Sequence, residues 1–195
     1  MSELDQILAE IRACRHCVDL PLGPRPVIRA STTARLLILA QAPGTRVHET
    51  GLSFNDRSGD RLRDWLGFDR ETFYDEAQVA IMGMGFCYPG VDKNGGDLPP
   101  RRECAPLWHP RLLPLLPSIR LTLLIGLHAH QRYLPKASGR SVTERVAAWR
   151  DYPPDIFVLP HPSWRNTGWL KRNPWFEEEL LPVLRARVRA VLDNP

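Results

Sequence analysis

Residues 36–44 read LLILAQAPG: five apolar residues in a row, then an abrupt turn closed by Pro-Gly. The run is too short for a helix. Lacking polar alternation, it has the pattern of a strand buried on both faces. The same pattern recurs three times. VAIMGM (79–84) runs into GFCYPG, LTLLI (121–125) stops at Gly126, and DIFVLP (155–160) runs into HPSWRN.

Helical patterns lie between these runs. Residues 2–13 are amphipathic, with Ser2 as N-cap and Leu4, Ile7, Leu8 and Ile11 on one face. Residues 18–34 are rich in Pro, Gly and Arg and read as a loop. SGDRLRDWL (58–66) reads as a helix starting near Ser58. Residues 101–116 suggest a helix disturbed by Pro106, Pro110 and Pro114. Another runs from Gly126 through Leu134. SVTERVAAW (141–149) carries a Ser141–Glu144 capping box. A last helix is expected to start at Asn173-Pro174, with Glu177–Glu179 at its positive end and a kink at Pro182.

Short apolar strands alternating with helices predict a three-layer α/β/α sandwich around a mostly parallel four-stranded sheet. In such sheets the site lies beyond the carboxyl ends of the strands. QAPG, GFCYPG and HPSWRN all leave from that edge, and are expected to form one cleft.

Composition bounds the rest. A chain of 195 residues with 43% hydrophobic and 25% charged residues is expected to be a single globular domain spanning 1–195. These values exclude a disordered tail protein or a collagen-like rod. No apolar run approaches the ~20 residues of a membrane span, and the acidic start MSELDQILAE lacks a signal-peptide core. The expectation is a soluble, cytoplasmic monomer with no membrane partner. The net charge is +4, and only Lys93, Lys136 and Lys171 among the 26 basic residues are lysine. An arginine-rich surface fits phosphate and stacks on bases; codon usage in a GC-rich genome explains it equally well.

The four cysteines form two pairs: Cys14 and Cys17 as C-x2-C, and Cys87 and Cys104 with 16 residues between. Disulfides are disfavoured in a reducing compartment. The pairs can converge on one metal centre, and spacing alone allows zinc, an iron–sulfur cluster or unligated buried thiols.

Four features in order resemble the uracil-DNA glycosylase superfamily over about residues 10–190. Ala40-Gln41-Ala42-Pro43-Gly44 is similar to a G-E-A-P-G motif. Gly51-Leu52-Ser53-Phe54 followed by Ser58-Gly59 is similar to the family's aromatic segment. His161-Pro162-Ser163 is similar to its H-P-S motif. The cysteines resemble, in order and spacing, the ligands of the iron–sulfur uracil-DNA glycosylases and their bacterial relatives.

The resemblance implies a repair enzyme. It would hydrolyse the N-glycosidic bond of a flipped-out uracil or other deaminated base, in damaged duplex or single-stranded DNA. It also implies a [4Fe–4S] cluster on Cys14, Cys17, Cys87 and Cys104. Phe54 would be the stacking platform and His161 the donor to the base oxygen where charge develops. Pro43, Gly44 and Ser163 would meet the phosphates, and Trp164 and Arg165 would enter the gap or grip the backbone.

Two positions depart from the motif. Gln41 replaces a carboxylate and can orient water or the sugar but cannot take a proton. Glu49, Asp56 and Asp60 are the nearby carboxylates. Gly83 stands where the family has an amide that reads the base, which leaves Asn55 as another reader. Blander roles compete: Phe54 in the core, His161 capping a turn, Trp164 packed on Trp169. Two other functions stay open. One is a catalytically inactive nucleic-acid-binding protein on the same fold. The other is an iron–sulfur sensing or electron-transfer protein, in which the H-P-S and Phe54 elements would have no task.

Overall fold

The structure is a computed structural model, and it describes residues 2–134 and 141–193. In chain order the elements are α1 (Glu3–Arg12), β1 (Leu36–Ala40), α2 (Thr45–Thr50), α3 (Arg57–Leu66), α4 (Arg70–Tyr74) and β2 (Val79–Gly83). Then come α5 (Cys104–Leu112), β3 (Leu121–Ile125), α6 (Leu127–Tyr133), α7 (Val142–Ala147), β4 (Ile156–Leu159), α8 (Thr167–Arg172) and α9 (Leu181–Asp193).

The four strands form one sheet in the order β2-β1-β3-β4, and every pairing is parallel. The chain moves outward from β1 to β2, then returns across β1 to β3 and β4. With right-handed crossovers, α3 and α4 fall on one face and α5, α6 and α7 on the other. α9 closes the first face by packing on α3 and β1, and α1 packs on α5. Both faces are thereby covered. Leu36, Ile38, Leu123, Ile125, Val158 and Leu159 at the sheet's centre are fully buried. Among the described residues, no helix is long and apolar enough to cross a membrane.

Helix starts follow local chemistry. The Ser2 hydroxyl accepts the Asp5 N–H at 3.1 Å while the Asp5 carboxylate accepts the Ser2 N–H at 2.8 Å. Those bonds hold the Asp5 carboxyl below its usual range. Ser141 and Glu144 repeat the arrangement at α7.

Three boundaries differ from expectation. α3 is capped by Asp56, whose carboxylate accepts the Gly59 N–H at 2.9 Å, and Ser58 lies inside the first turn. α5 begins only at Cys104 and ends at Leu112, where a 3-10 turn (Leu113–Leu115) takes up Pro114. Asn173 ends α8, and the long last helix follows directly from Asn173-Pro174 as expected, but not as one α-helix. The chain then forms a π-helical turn, Phe176–Leu180, before α9. Pro182 has no N–H for the carbonyl four residues back, and the wider π winding absorbs that mismatch. The short helices α2, α4 and α8 have no clear apolar period in the sequence.

Candidate active site

The turns after β1 and β4 meet in one cleft, but the GFCYPG turn does not join them: its Gly85, Phe86 and Cys87 line the cysteine cavity, and β2 gives the cleft its own last residues instead. Gln41 follows the last residue of β1, Gly83 is the last residue of β2, and His161 lies two residues beyond β4. Together with Ala42, Pro43, Phe54, Asp56, Ser58, Asp97 and Ser163 they line one cleft of about 100 Å³.

Phe54 is held there by an unusual backbone. Its φ of +55° makes it the non-glycine residue with positive φ among those described. The conformation costs roughly 1–3 kcal/mol and is kept only where the surroundings impose it. Gly59 makes room for it here: a Cβ at that position would lie 1.7 Å from the Phe54 carbonyl oxygen. The Phe54 carbonyl accepts Nη1 of the buried Arg63 at 3.3 Å. Arg63 itself sits over the Phe73 ring and pairs with Asp60 at 2.6 Å. The Phe54 ring meets Phe73 edge-on at 6.1 Å between centroids. Phe54 is therefore half-buried, with one edge on the core and a surface on the cleft.

His161 has a defined tautomer. Its Nδ1 accepts the Ser163 backbone N–H at 3.2 Å, so the neutral ring carries its proton on Nε2. Burial holds the imidazole below its usual pKa, with the charge of Asp56 pulling the other way. Asn166 donates to the His161 carbonyl at 2.7 Å. Gly126, with φ +79°, passes directly beneath: a Cβ there would lie 3.5 Å from the His161 Cβ. The residue is thus a rigid neutral donor facing a cleft, and the turn it caps is what fixes it.

Gly83 lines the cleft but leaves no room for a side chain. A Cβ would lie 2.3 Å from the Gly85 carbonyl oxygen and 3.3 Å from that of Gln41. The turn after β2 is pulled in by the Met84 N–H on the Ala40 carbonyl (2.8 Å) and the Gly85 N–H on the Gln41 carbonyl (3.0 Å). Asn55 points elsewhere. It lines the neighbouring groove, where its Oδ1 accepts from Arg70 at 2.8 Å.

That groove, about 590 Å³, opens from the cleft and is lined by Arg46, Arg57, Arg70 and Arg165 as well as Ser163 and Trp164. Trp164 is 65% exposed and does not rest on Trp169. Trp169 instead packs on Trp175 and Phe176 and donates to Thr143. Arg165 reaches the Gly95 carbonyl at 2.9 Å. Ser163 is held from behind, its carbonyl accepting from Arg61 at 2.8 Å. Pro43 lines the cleft, whereas Gly44 caps the short α2 and lies behind it.

Two carboxylates border both cavities. Asp56 was a candidate from sequence; Asp97 was not, because nothing in the loop after β2 marks it. Partial burial pushes the Asp97 carboxyl up, Arg165 opposes this, and the charge of Asp56 adds to it. Asp60 is confined to the groove and Glu49 borders neither cavity.

The four cysteines line a separate cavity of about 30 Å³, with Pro24, Pro26, Phe86 and Trp108 among its walls. All four are free thiols, partly buried. Phe86 donates its backbone N–H to the Cys104 Sγ at 3.4 Å. Burial pushes the Cys104 thiol up to about 12 and the Cys87 thiol to about 11, each reinforced by the other cysteines. Among the described residues, no three His, Cys, Asp or Glu side chains are grouped so as to hold a single metal ion.

Residues 28–185 match the family model of the Uracil DNA glycosylase superfamily. The matched segment contains the whole sheet, the cleft, Cys87 and Cys104, and ends in the first turn of α9; Cys14 and Cys17 lie upstream of it. Since that segment covers most of the chain and includes the strand ends and turns that build the cleft, the protein belongs to the Uracil DNA glycosylase superfamily.

Proposed function

We propose that the protein is a DNA glycosylase that hydrolyses the N-glycosidic bond of a flipped-out uracil or other deaminated base. The observation that carries this reading is the convergence of Phe54 and His161, from distant segments, on one cleft of about 100 Å³ beside an arginine-lined groove. An enzyme acting on a base must extrude it into a pocket, stack it and bond its edge. Phe54 supplies the stacking face. As the bond breaks, negative charge grows on the departing base. A neutral donor on His161 Nε2 stabilises that charge without the desolvation penalty a buried imidazolium would carry.

Water attack needs an acceptor. Asp56 lines the cleft, and with one oxygen committed to the Gly59 N–H it has the other left to accept. Asp97, with its raised pKa, borders the same space. These two hold and polarise the water in this reading. The groove arginines take the phosphates flanking the flipped nucleotide, as a positive surface beside a base pocket is suited to do. Trp164, exposed and anchored at the turn's base through Ser163, fills the gap the base leaves.

The donor set around the second cavity suits a [4Fe–4S] cluster. Four thiols line the cavity, with the imidazole of His16 beside them, and four thiolates are the usual ligands of such clusters. Thiolates on one zinc ion sit about 3.8 Å apart, given Zn–S bonds of about 2.3 Å. What supports the cluster reading is that all four thiols, from two distant segments, line one cavity. Burial raises the thiol pKa values of Cys17, Cys87 and Cys104, and a cationic core would oppose that by stabilising thiolates. The cluster would supply a cross-link between the segment after α1 and the turn after β2. The chemistry of base release rests on the cleft residues.

The test is single-turnover release of base from duplex and single-stranded oligonucleotides carrying uracil, hypoxanthine or xanthine. The expected result is release by the parent and a loss of about 10²–10³-fold for His161→Ala, the usual effect of deleting one transition-state donor. Binding without release from any of them would assign the protein to nucleic-acid binding alone.

A further inference from the structure

We propose that Gln41 is the residue that reads the flipped base, its carboxamide pairing with the adjacent C=O and N–H of a lactam edge. The inference rests on the glycosylase reading and assigns its specificity. A base drawn into the cleft leaves water with its edge groups unpaired unless the wall answers them. A lactam edge presents one acceptor beside one donor. A carboxamide presents the complement in one planar group, whereas a carboxylate only accepts.

Among the described residues that line the cleft, Gln41 is the sole carboxamide. Asp56 and Asp97 are carboxylates, and the serines offer single hydroxyls. The other two positions from which an amide might serve are closed. At Gly83 a side chain would collide with the Gly85 carbonyl at 2.3 Å. Asn55 lies in the groove, bound to Arg70.

Gln41 is placed for the task. It stands at the end of β1, one residue past the Ala40–Gly83 pair, so it extends beside the turn that shuts position 83. Its main chain is pinned there by the Gly85 N–H, and the preceding carbonyl by the Met84 N–H. Its side chain is half-buried and bonds no described residue. A fixed backbone whose uncommitted amide belongs to a residue lining the cleft is a preorganised reader. Rotated end for end, the same amide fits the amidine edge of cytosine. Gln41 therefore accounts for reading an edge and not for rejecting cytosine.

The experiment compares single-turnover release of uracil and of 2-pyrimidinone, which keeps the O2 atom but lacks the 4-carbonyl and the N3 hydrogen. Parent, Gln41→Leu, Gln41→Glu and His161→Ala are each tested on both, and folding is checked by thermal melting. In the parent, uracil should leave faster. Gln41→Leu should reduce the uracil/2-pyrimidinone rate ratio by about 10²-fold, because uracil loses its partner and the analogue has none to lose. Gln41→Glu, of nearly the same size, should reduce it as well, since it sets a negative charge against the uracil O4. His161→Ala should slow both substrates and leave the ratio alone. Intrinsic leaving-group differences cancel because the same two substrates are compared across variants. A parent ratio retained in Gln41→Leu or Gln41→Glu overturns the inference and leaves the glycosylase reading intact. No release of any base by the parent overturns both.

Discussion

Replacing Gly59 by alanine should disable the cleft from outside it. The new Cβ would lie 1.7 Å from the Phe54 carbonyl oxygen, 2.6 Å from its carbonyl carbon and 2.9 Å from its Cβ. Real Cβ contacts almost never fall below 3.0 Å, so the start of α3 and the Phe54 backbone must part by about 1.3 Å. Both partners are anchored: the Gly59 N–H by Asp56 at 2.9 Å, the Phe54 carbonyl by Arg63 at 3.3 Å. Losing the Asp56 cap costs about 1 kcal/mol. Forcing an extra carbon into a packed site costs about 1–3 kcal/mol more. The sum, about 2–4 kcal/mol, corresponds to a fall in Tm of roughly 5–15 °C for a chain of this size. Activity should fall further than stability, because Phe54 is displaced and a 1 Å misplacement of a positioning group costs about 10²-fold in rate. Thermal melting and single-turnover release, both below the variant's Tm, measure the two effects. Gly168→Ala is the control, since its Cβ would touch only Arg172 at 3.4 Å on an exposed helix. A Gly59→Ala protein with the parent's Tm and rate would refute the account of how Phe54 is held.

Acid should weaken the fold before the carboxylates titrate. His109 donates from Nε2 to the Gly83 carbonyl and accepts the Tyr133 hydroxyl on Nδ1, and His130 shares its Nε2 proton between the Leu124 and Leu159 carbonyls. Burial lowers both to about 4. Between pH 6.5 and about 4 the unfolded chain binds protons that the folded chain refuses, so stability falls as pH falls across that window. Each histidine accounts for about 2 kcal/mol between pH 7 and 5. Urea midpoints that stay level from pH 7 to pH 5 would contradict this. The cysteine cavity is checked by anaerobic reconstitution with iron and sulfide. The parent should gain visible absorption and bound iron, and Cys87→Ala or Cys104→Ala should lose both; a parent that takes up zinc but no iron would remove the cluster.

The strands, two of the caps and the three turns were readable from sequence because each depends on near neighbours. LLILA, LTLLI and the Ser141–Glu144 box declare themselves within a few residues, since alternation, apolar runs and N-caps are local devices. His161 lies in one of those turns, and Phe54 was singled out by the resemblance of its segment, Gly51–Phe54, to a family motif. Other features required the chain to be folded. Asp97 joins the cleft through a long loop with no periodicity, and only the strand order β2-β1-β3-β4 brings that loop over the end of β1. Asn55 is turned to the groove by Arg70, which is 15 residues away in sequence and beside it in space. Position 83 is closed by a carbonyl two residues on, drawn in by a hydrogen bond to the neighbouring strand. The reason is common to all three. Whether a polar group faces a ligand or a neighbour is decided by which distant atom reaches it first, and that competition exists only after the sheet has assembled.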